Sequence, residues 1–182
     1  MQQWWLTILG AALALLGGIA TKLFTDRFIE APGLRAGLAA EIRAVLGLIQ
    51  RDNVVGAINE QIQGMENSRE TIPFRVAFRS TYNIVFAANA SKLNLLPRWF
   101  DGSFDTELVP NLVNYYYLLQ TMIELSEMIA ASDQSSVNRP RPILGLCVPP
   151  EERFVLFKRL KIVTTELQPM AQDLVNRLEG VA

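Results

Sequence analysis

The N-terminal segment of the chain restricts its fold more than any other segment. The 21 residues from Trp4 to Phe24 contain one charged side chain, Lys22. A helix rises about 1.5 Å per residue, so such a run spans about 30 Å, the thickness of the hydrocarbon layer of a bilayer. Trp4 and Trp5 stand at one end of the run, where amphipathic aromatic rings favour the headgroup layer. The sequence therefore predicts a transmembrane anchor with these two interface residues, in an N-terminal unit of residues 1–31 that includes a juxtamembrane extension.

Two other interpretations of this run are weaker. A secretion signal needs a positive leading region and a cleavage site, but only Met-Gln-Gln precedes Trp4 and no clear cleavage site follows. A buried core helix rarely continues this far without a polar face. Lys22 lies near the C-terminal end of the run, and Arg27, Arg35 and Arg43 follow it, so the positive-inside rule predicts an outer N-terminus and a cytoplasmic C-terminal domain.

Small residues recur within the apolar run. Gly10, Ala14 and Gly18 are each four positions apart, so they lie on one face of a helix and allow a second helix to approach closely. This face predicts self-association of the span. Glycine and alanine are also common in membrane spans that do not pair, which is the alternative explanation.

Composition argues against several functional classes. The chain has no histidine, which removes the commonest general base near neutral pH and the commonest metal ligand. Its one cysteine, Cys147, precedes a predicted helix N-terminus that could activate a thiol, but it can equally be a small apolar residue and has no histidine as a base. The net charge of −1 shows no basic surplus for phosphates. We expect no catalytic residue, cofactor, metal or nucleic-acid partner.

The rest of the chain predicts an all-α fold. Four amphipathic stretches indicate an antiparallel bundle of about four helices in residues 32–182. A break in the first helix is expected near Asp52 and Asn53, and Asp105 or Thr106 is expected to cap the third. A Ser/Pro-rich linker is expected at about 132–150. The first three predicted helices cover 34–65, 74–93 and 105–131. The last is expected to start at Pro149 or Pro150, to be kinked by Pro169 and to be ended by Gly180.

The third predicted helix has the clearest core stripe. Apolar residues recur there with alternating spacings of four and three, which is a heptad pattern suited to bundle packing. The stripe comprises Leu108, Leu112, Tyr115, Leu119, Met122, Ser126 and Ile129.

Two acidic patterns are candidate metal sites. Asp101, Ser103 and Asp105 alternate like calcium ligands, but Leu112 stands where the bidentate glutamate should be. A turn followed by a helix cap explains the same residues. Glu124 and Glu127 share a helix face without a second ligand pair, so a solvated face is the simpler interpretation.

The chain has one basic cluster, around the linker and the start of the last helix. Such a cluster can lie against anionic lipid, with about 1 kcal/mol per charge near the surface, or it can be an ordinary solvated face. Consecutive tyrosines 115–117 cannot all face the core, and exposed aromatic side chains suit interfaces. The basic cluster comprises Arg139, Arg141, Arg153, Lys158, Arg159 and Lys161. The residues predicted to contact lipid or a partner are Arg153, Lys158, Lys161, Tyr116 and Trp99.

One stretch carries a resemblance. Tyr82, Asn89, the segment "SKLNLLP" at 91–97 and the tyrosines 115–117 resemble a loose class of small uncharacterised bacterial membrane proteins. These have one N-terminal transmembrane helix and a cytoplasmic helical domain. Asn94 stands where that class has glycine, and both residues tolerate a left-handed backbone. The resemblance covers about a third of the chain closely and implies a fold and a bacterial inner-membrane location, but no activity.

These observations favour a non-catalytic interaction or scaffold module anchored in the inner membrane. Its expected partners are membrane lipids, a protein of unknown identity and a second copy of the chain. One alternative is a membrane-active effector whose span oligomerises through Gly10, Ala14 and Gly18. Its span lacks the polar face of a water-lined pore. The other alternative is a membrane-tethered enzyme, for which no motif is present.

Overall fold

The described part of the chain is built from helices. The computed structural model describes residues 17–22, 24–25, 30–67, 83–96, 105–137 and 150–180. These ranges contain helices and turns and no strand, which confirms the predicted all-α class. The elements are α1 (Ala31–Arg51), α2 (Val54–Glu66), α3 (Ile84–Ala88), a 3₁₀ helix (Ala90–Leu95), α4 (Leu108–Val137) and α5 (Pro150–Glu179).

The break between α1 and α2 is confirmed. Asn53 adopts a left-handed backbone with φ of 44°, which asparagine tolerates better than most residues because its short side chain bonds locally. The amide of Asp52 still donates to the carbonyl of Leu48 at 3.0 Å, and the amide of Ala57 donates to Asn53 at 2.9 Å. The first predicted helix is therefore one bent arm with a single left-handed residue at the bend.

All seven predicted core residues of α4 are buried, and none is more than 5% exposed. The helix begins three residues later than predicted, because the Asp105 carboxylate accepts from the amide of Glu107 at 3.2 Å and forms a turn before it. It ends at Val137, six residues into the predicted linker. No glycine or proline interrupts the chain between Ala131 and Asn138, so nothing in the sequence stops the helix at its predicted end.

The last helix, α5, is the centre of the bundle because it packs against α1, α2 and α4. It runs antiparallel to α4: the Arg177 guanidinium lies 3.5 Å from the Asp105 carboxylate, and the Asn114 amide lies 3.9 Å from the sulfur of Met170. The helix continues through Pro169 and ends before Gly180, whose φ is 73°. Among the largest fully buried side chains are Leu38, Ile42, Ile49, Ile58, Leu96, Leu112, Tyr115, Leu119, Met122, Phe157 and Leu160.

The second predicted helix is described only from residue 83 onward. The continuous helix predicted up to Leu93 is wrong here, because α3 ends at Ala88 and the chain continues as a 3₁₀ helix. The Asn89 side-chain amide donates to the carbonyl of Val85 at 2.9 Å. The backbone N–H of Asn89 forms a bifurcated hydrogen bond to the carbonyls of Val85 and Phe86, at 3.2 Å each. Asparagine makes such local bonds in competition with the helical ladder.

The predicted membrane anchor falls mainly outside the described residues. Residues 17–22 are helical and exposed, whereas Trp4, Trp5, Gly10 and Ala14 precede the described ranges. In the ranges that the structure covers, no helix is both long enough and apolar enough to be a membrane span.

Candidate functional site

A half-buried carboxylate on α1 organises a polar cluster that joins three segments of the chain. Glu41 Oε1 accepts from the amide of Val85 at 3.0 Å, and Oε2 accepts from the amide of Phe86 at 3.3 Å. The hydroxyl of Tyr116 donates to Oε2 at 2.6 Å. The two amides belong to the first turn of α3, where helical N–H groups have no partner within the helix. Glu41 therefore caps α3 from a neighbouring helix, and its charge complements the helix dipole.

Aromatic packing completes this cluster. The rings of Phe86 and Tyr116 stack with centroids 4.0 Å apart and an interplanar angle of 18°. The Tyr115 ring meets Tyr116 edge-on at 5.0 Å. Burial, followed by the hydrogen bond to Glu41 and its charge, raises the pKa of Tyr116 above its ordinary value. Burial and the charge of Glu41 likewise raise the pKa of Tyr115, so both phenols stay protonated at neutral pH.

Two further contacts hold residues 83–96 on α1. Lys92 Nζ lies 2.7 Å from a carboxylate oxygen of Glu30, and the Arg35 guanidinium donates to the carbonyl of Leu96. Gly37 leaves room for this segment, because a Cβ atom there would lie 3.1 Å from a methyl group of Val85. The three hydrogen bonds that Glu41 accepts come from groups of the protein itself, so this cluster fixes residues 83–96 on α1.

The structure separates the residues predicted to contact lipid or a partner. Lys158 and Lys161 are exposed, with Lys158 Nζ 4.1 Å from the ring centroid of Phe154. Arg153 is half-buried, with its guanidinium 5.7 Å from the ring centroid of Phe157. Tyr116 is only 6% exposed, so the prediction of an external contact for it is corrected. Of the three consecutive tyrosines, Tyr117 is the exposed one.

Some of the other candidate residues lie within the described ranges and the rest lie outside them. Asp105 lies beside Arg177, at 3.5 Å, and Glu124 accepts from the Gln120 side chain at 3.0 Å. In the described ranges no group of three acidic, cysteine or histidine side chains is placed to hold a metal ion. A Cβ atom at Gly18 would have no neighbour within 4 Å. The predicted residues outside the described ranges are Trp4, Trp5, Gly10, Ala14, Trp99, Asp101, Ser103, Arg139, Arg141 and Cys147.

The strongest candidate for a functional surface lies on α4 and α5, turned away from the core. Five of the eight exposed large apolar side chains in the described residues are on these two helices. On each helix they share one face, because separations of four, seven or eleven residues bring side chains back to the same side. We call this set the outer face: Val113, Tyr117, Met128, Val155 and Ile162.

A cleft joins the two halves of the outer face. Met128 of α4 and Val155 of α5 line the same open cleft of about 430 Å³, together with Arg159. Its other lining residues are Glu151, Glu152 and Leu156, so charged groups surround an apolar floor. Apolar contact residues within a charged rim are the usual anatomy of a protein interface.

Sequence reasoning missed the outer face and Glu41. The outer face had a detectable signal, since Val155 and Ile162 are seven residues apart and lie off the core stripe of α5. Glu41 also had a signal, because no lysine or arginine stands three or four positions from it, where a helical salt bridge would form.

Comparison with known proteins supplies no relative for this arrangement. No family model, curated protein or solved structure matches the chain.

Proposed function

We propose that this chain is a helical interaction module that its N-terminal apolar run holds at a membrane, and that it has no catalytic activity. The observation that carries the proposal is the outer face of α4 and α5. Tyr117 is 69% exposed, Ile162 58% and Met128 51%. Exposed apolar groups within a charged rim indicate a surface that another molecule covers.

The polar contacts of Glu41 and Arg177 support a structural role for these two charged residues. Glu41 accepts from three protein donors, and the Arg177 guanidinium contacts three carboxylates. A general base needs an unoccupied position facing a substrate, and these groups face their own protein. The membrane location is supported by the uncharged run that precedes Lys22.

Site-specific photo-crosslinking in growing bacteria tests the interaction. A photoreactive amino acid replaces Tyr117 or Ile162 on the outer face, or Glu60 as an exposed control on α2. We expect adducts of higher mass from the two outer-face positions and none from the control. Equal adduct yields at all three positions, or none at any, would contradict the proposal.

Membrane fractionation tests the location separately. We expect the full chain in the membrane fraction, and a C-terminal tag that external protease cuts only after the membrane is permeabilised. Cleavage of the tag in intact cells would reverse the proposed orientation. The double variant Gly10→Leu/Gly18→Leu tests pairing through the span, since larger side chains would keep two backbones apart.

A further inference from the structure

The exposed side of α5 carries charges that form no ion pair with any residue that the structure describes. Lys158 and Arg159 are exposed, and so is Glu166 further along the helix. No oppositely charged side chain stands three or four positions from any of the three, which excludes intrahelical salt bridges. None of the three forms an ion pair within the described ranges. Arg177 at the other end of the helix, by contrast, contacts Asp105, Glu107 and Asp173.

Two of these charges, Lys158 and Glu166, are arranged symmetrically about Ile162. Lys158 precedes it by four residues and Glu166 follows it by four. Val155 precedes it by seven residues, and Pro169 follows it by seven. Separations of four and seven residues keep all of these positions on one side of the helix, and the structure places each of them at the surface.

Such a pattern is complementary to itself when reversed. If a second α5 runs antiparallel with its Ile162 opposite the first, Lys158 of each copy faces Glu166 of the other. Val155 of each copy then faces Pro169 of the other, and the two isoleucines meet on the two-fold axis. A two-fold contact of this kind requires one patch to match itself. Opposite charges at the two equivalent positions also fix the register of the pair.

We propose that two copies of this chain associate antiparallel through α5, with Ile162 on the two-fold axis and Lys158 paired to Glu166 of the other copy. This inference rests on the proposed function, since it names the partner of the outer face. The contacting segment from Val155 to Pro169 is about 21 Å long at 1.5 Å per residue. Met128 extends it onto α4 through the shared cleft, toward the roughly 800 Å² per partner of stable interfaces.

An anionic bilayer fits the same face less well. Glu166 lies within the exposed stripe, and Glu151 and Glu152 line the cleft beside it. Carboxylates in these positions would be repelled by anionic headgroups. In the antiparallel pair Glu166 instead meets a cation, so the acidic and the basic residues of the stripe are both used.

Charge reversal tests the pairing. One variant of the full chain carries Lys158→Glu and Arg159→Glu, so that its own Glu166 would face like charges; the other carries Glu166→Lys. We expect each variant alone to self-associate at least about tenfold more weakly than wild type in detergent solution, because like charges face each other at both sites. Mixed in equal amounts, the two variants should form a heterodimer with affinity near that of wild type.

This design separates folding from association. The three positions are exposed, so circular dichroism should show the wild-type helical content in both variants. Recovery in the mixture cannot result from misfolding of either partner. A wild-type chain that is monomeric, variants that associate like wild type, or a mixture that does not recover would each overturn the proposal. The photo-crosslinking at Tyr117 is a separate measurement, so the proposed interaction can still be supported when the α5 pairing fails.

Cysteine crosslinking tests the register. In a Cys147→Ser background, Ile162→Cys should form a disulfide with its own copy. Val155→Cys should form one only when mixed with Pro169→Cys. Uniform crosslinking at all positions would refute the antiparallel register. If Ile162→Cys stays monomeric and a water-soluble thiol reagent labels it in detergent but not in anionic vesicles, the face meets lipid and the dimer is excluded.

Discussion

Tyr115 and Tyr116 are adjacent and both are buried, but their hydroxyl groups contribute to stability with opposite signs. The Tyr116 hydroxyl donates to the Glu41 carboxylate at 2.6 Å. The Tyr115 side chain is 0% exposed, and its hydroxyl has no hydrogen-bond partner among the described residues. A hydrogen bond to a charged group stabilises a fold, whereas a buried hydroxyl without a partner destabilises it by its desolvation cost.

We therefore expect Tyr116→Phe to lower the free energy of unfolding by about 1.5 kcal/mol, and Tyr115→Phe to raise it by about 1 kcal/mol. Both variants keep the ring contacts, so only the hydroxyl changes. Urea denaturation followed by circular dichroism measures both values. Tyr117→Phe is the matched control and should stay within about 0.5 kcal/mol of wild type, since this side chain is exposed. Two changes of the same sign would show that we have misassigned the hydroxyl contacts.

The same tyrosines predict how stability responds to alkaline pH. Their pKa values are raised in the folded state, while the unfolded chain ionises near pH 10. Below about pH 10 both states hold the phenol protons and stability is unaffected. Above it the unfolded state loses protons first, so the free energy of unfolding falls as pH rises. Denaturation at pH 9 and pH 10.5 should show a smaller loss for Tyr115→Phe/Tyr116→Phe than for wild type; an equal loss would contradict this assignment.

At the scale of elements, two glycines of α1 provide a matched comparison. Both Gly37 and Gly47 are interior to the helix, where alanine is more favourable by about 1 kcal/mol. A Cβ atom at Gly47 would meet nothing within 4 Å, but at Gly37 it would lie 3.1 Å from a methyl group of Val85. The hydrogen bond from the Val85 amide to Glu41 holds the Val85 backbone in place, so Val85 cannot easily move away from a new methyl group at position 37.

We expect Gly47→Ala to raise the thermal midpoint of unfolding by a few degrees, which corresponds to about 0.5–1 kcal/mol. Gly37→Ala should gain less than Gly47→Ala, because the new methyl group presses on Val85. Calorimetry on both variants gives the comparison. An equal gain at the two positions would mean that α3 yields to a methyl group without cost.

The elements show what sequence patterns could predict. Heptad spacing identified the buried stripe of α4, because a helix facing one neighbour repeats its contacts regularly. The burial of Tyr116 could not be read from that stripe, since it depends on a second neighbour, Phe86, which covers another side of α4. The end of α3 at Ala88 was missed for a related reason. Asn89 can continue a helix or bond locally, and the partners around it decide.

At the scale of the whole molecule, Arg177 joins the start of α4 to the end of α5. Its guanidinium lies 3.0 Å from Asp173, 3.5 Å from Asp105 and 3.8 Å from Glu107. About a quarter of its side chain is exposed, so water weakens each pair. Three carboxylates around one cation form a network, which contributes more to stability than isolated surface ion pairs do.

We expect Arg177→Gln to lower the free energy of unfolding by about 1 kcal/mol in dilute buffer, and by less in 1 M salt, where charges are screened. Lys161→Gln, which removes an exposed cation outside this network, is the control and should change stability by less than about 0.5 kcal/mol. Chemical denaturation at both salt concentrations makes the measurement. If the loss does not depend on salt, the effect of Arg177 comes from packing of the aliphatic part of its side chain.

The bundle was predictable as a class but not in its arrangement. Amphipathic stripes indicate that helices pack, and the predicted break at Asn53 was correct. The stripes do not identify which helices contact each other. α5 contacts α1, α2 and α4, and this set of neighbours follows from three-dimensional packing that no single-helix periodicity contains.

The central position of α5 also orders the events of biosynthesis. A ribosome makes α1, α2 and α4 before α5, so their apolar stripes emerge without the helix that covers them. The contact between Arg43 and Glu179 joins residues 136 positions apart, and such distant contacts close late in folding. During translation the nascent chain therefore presents exposed Leu, Ile and Tyr side chains to chaperones until α5 is released. A stop codon before residue 150 should turn this protein into a substrate for proteolysis.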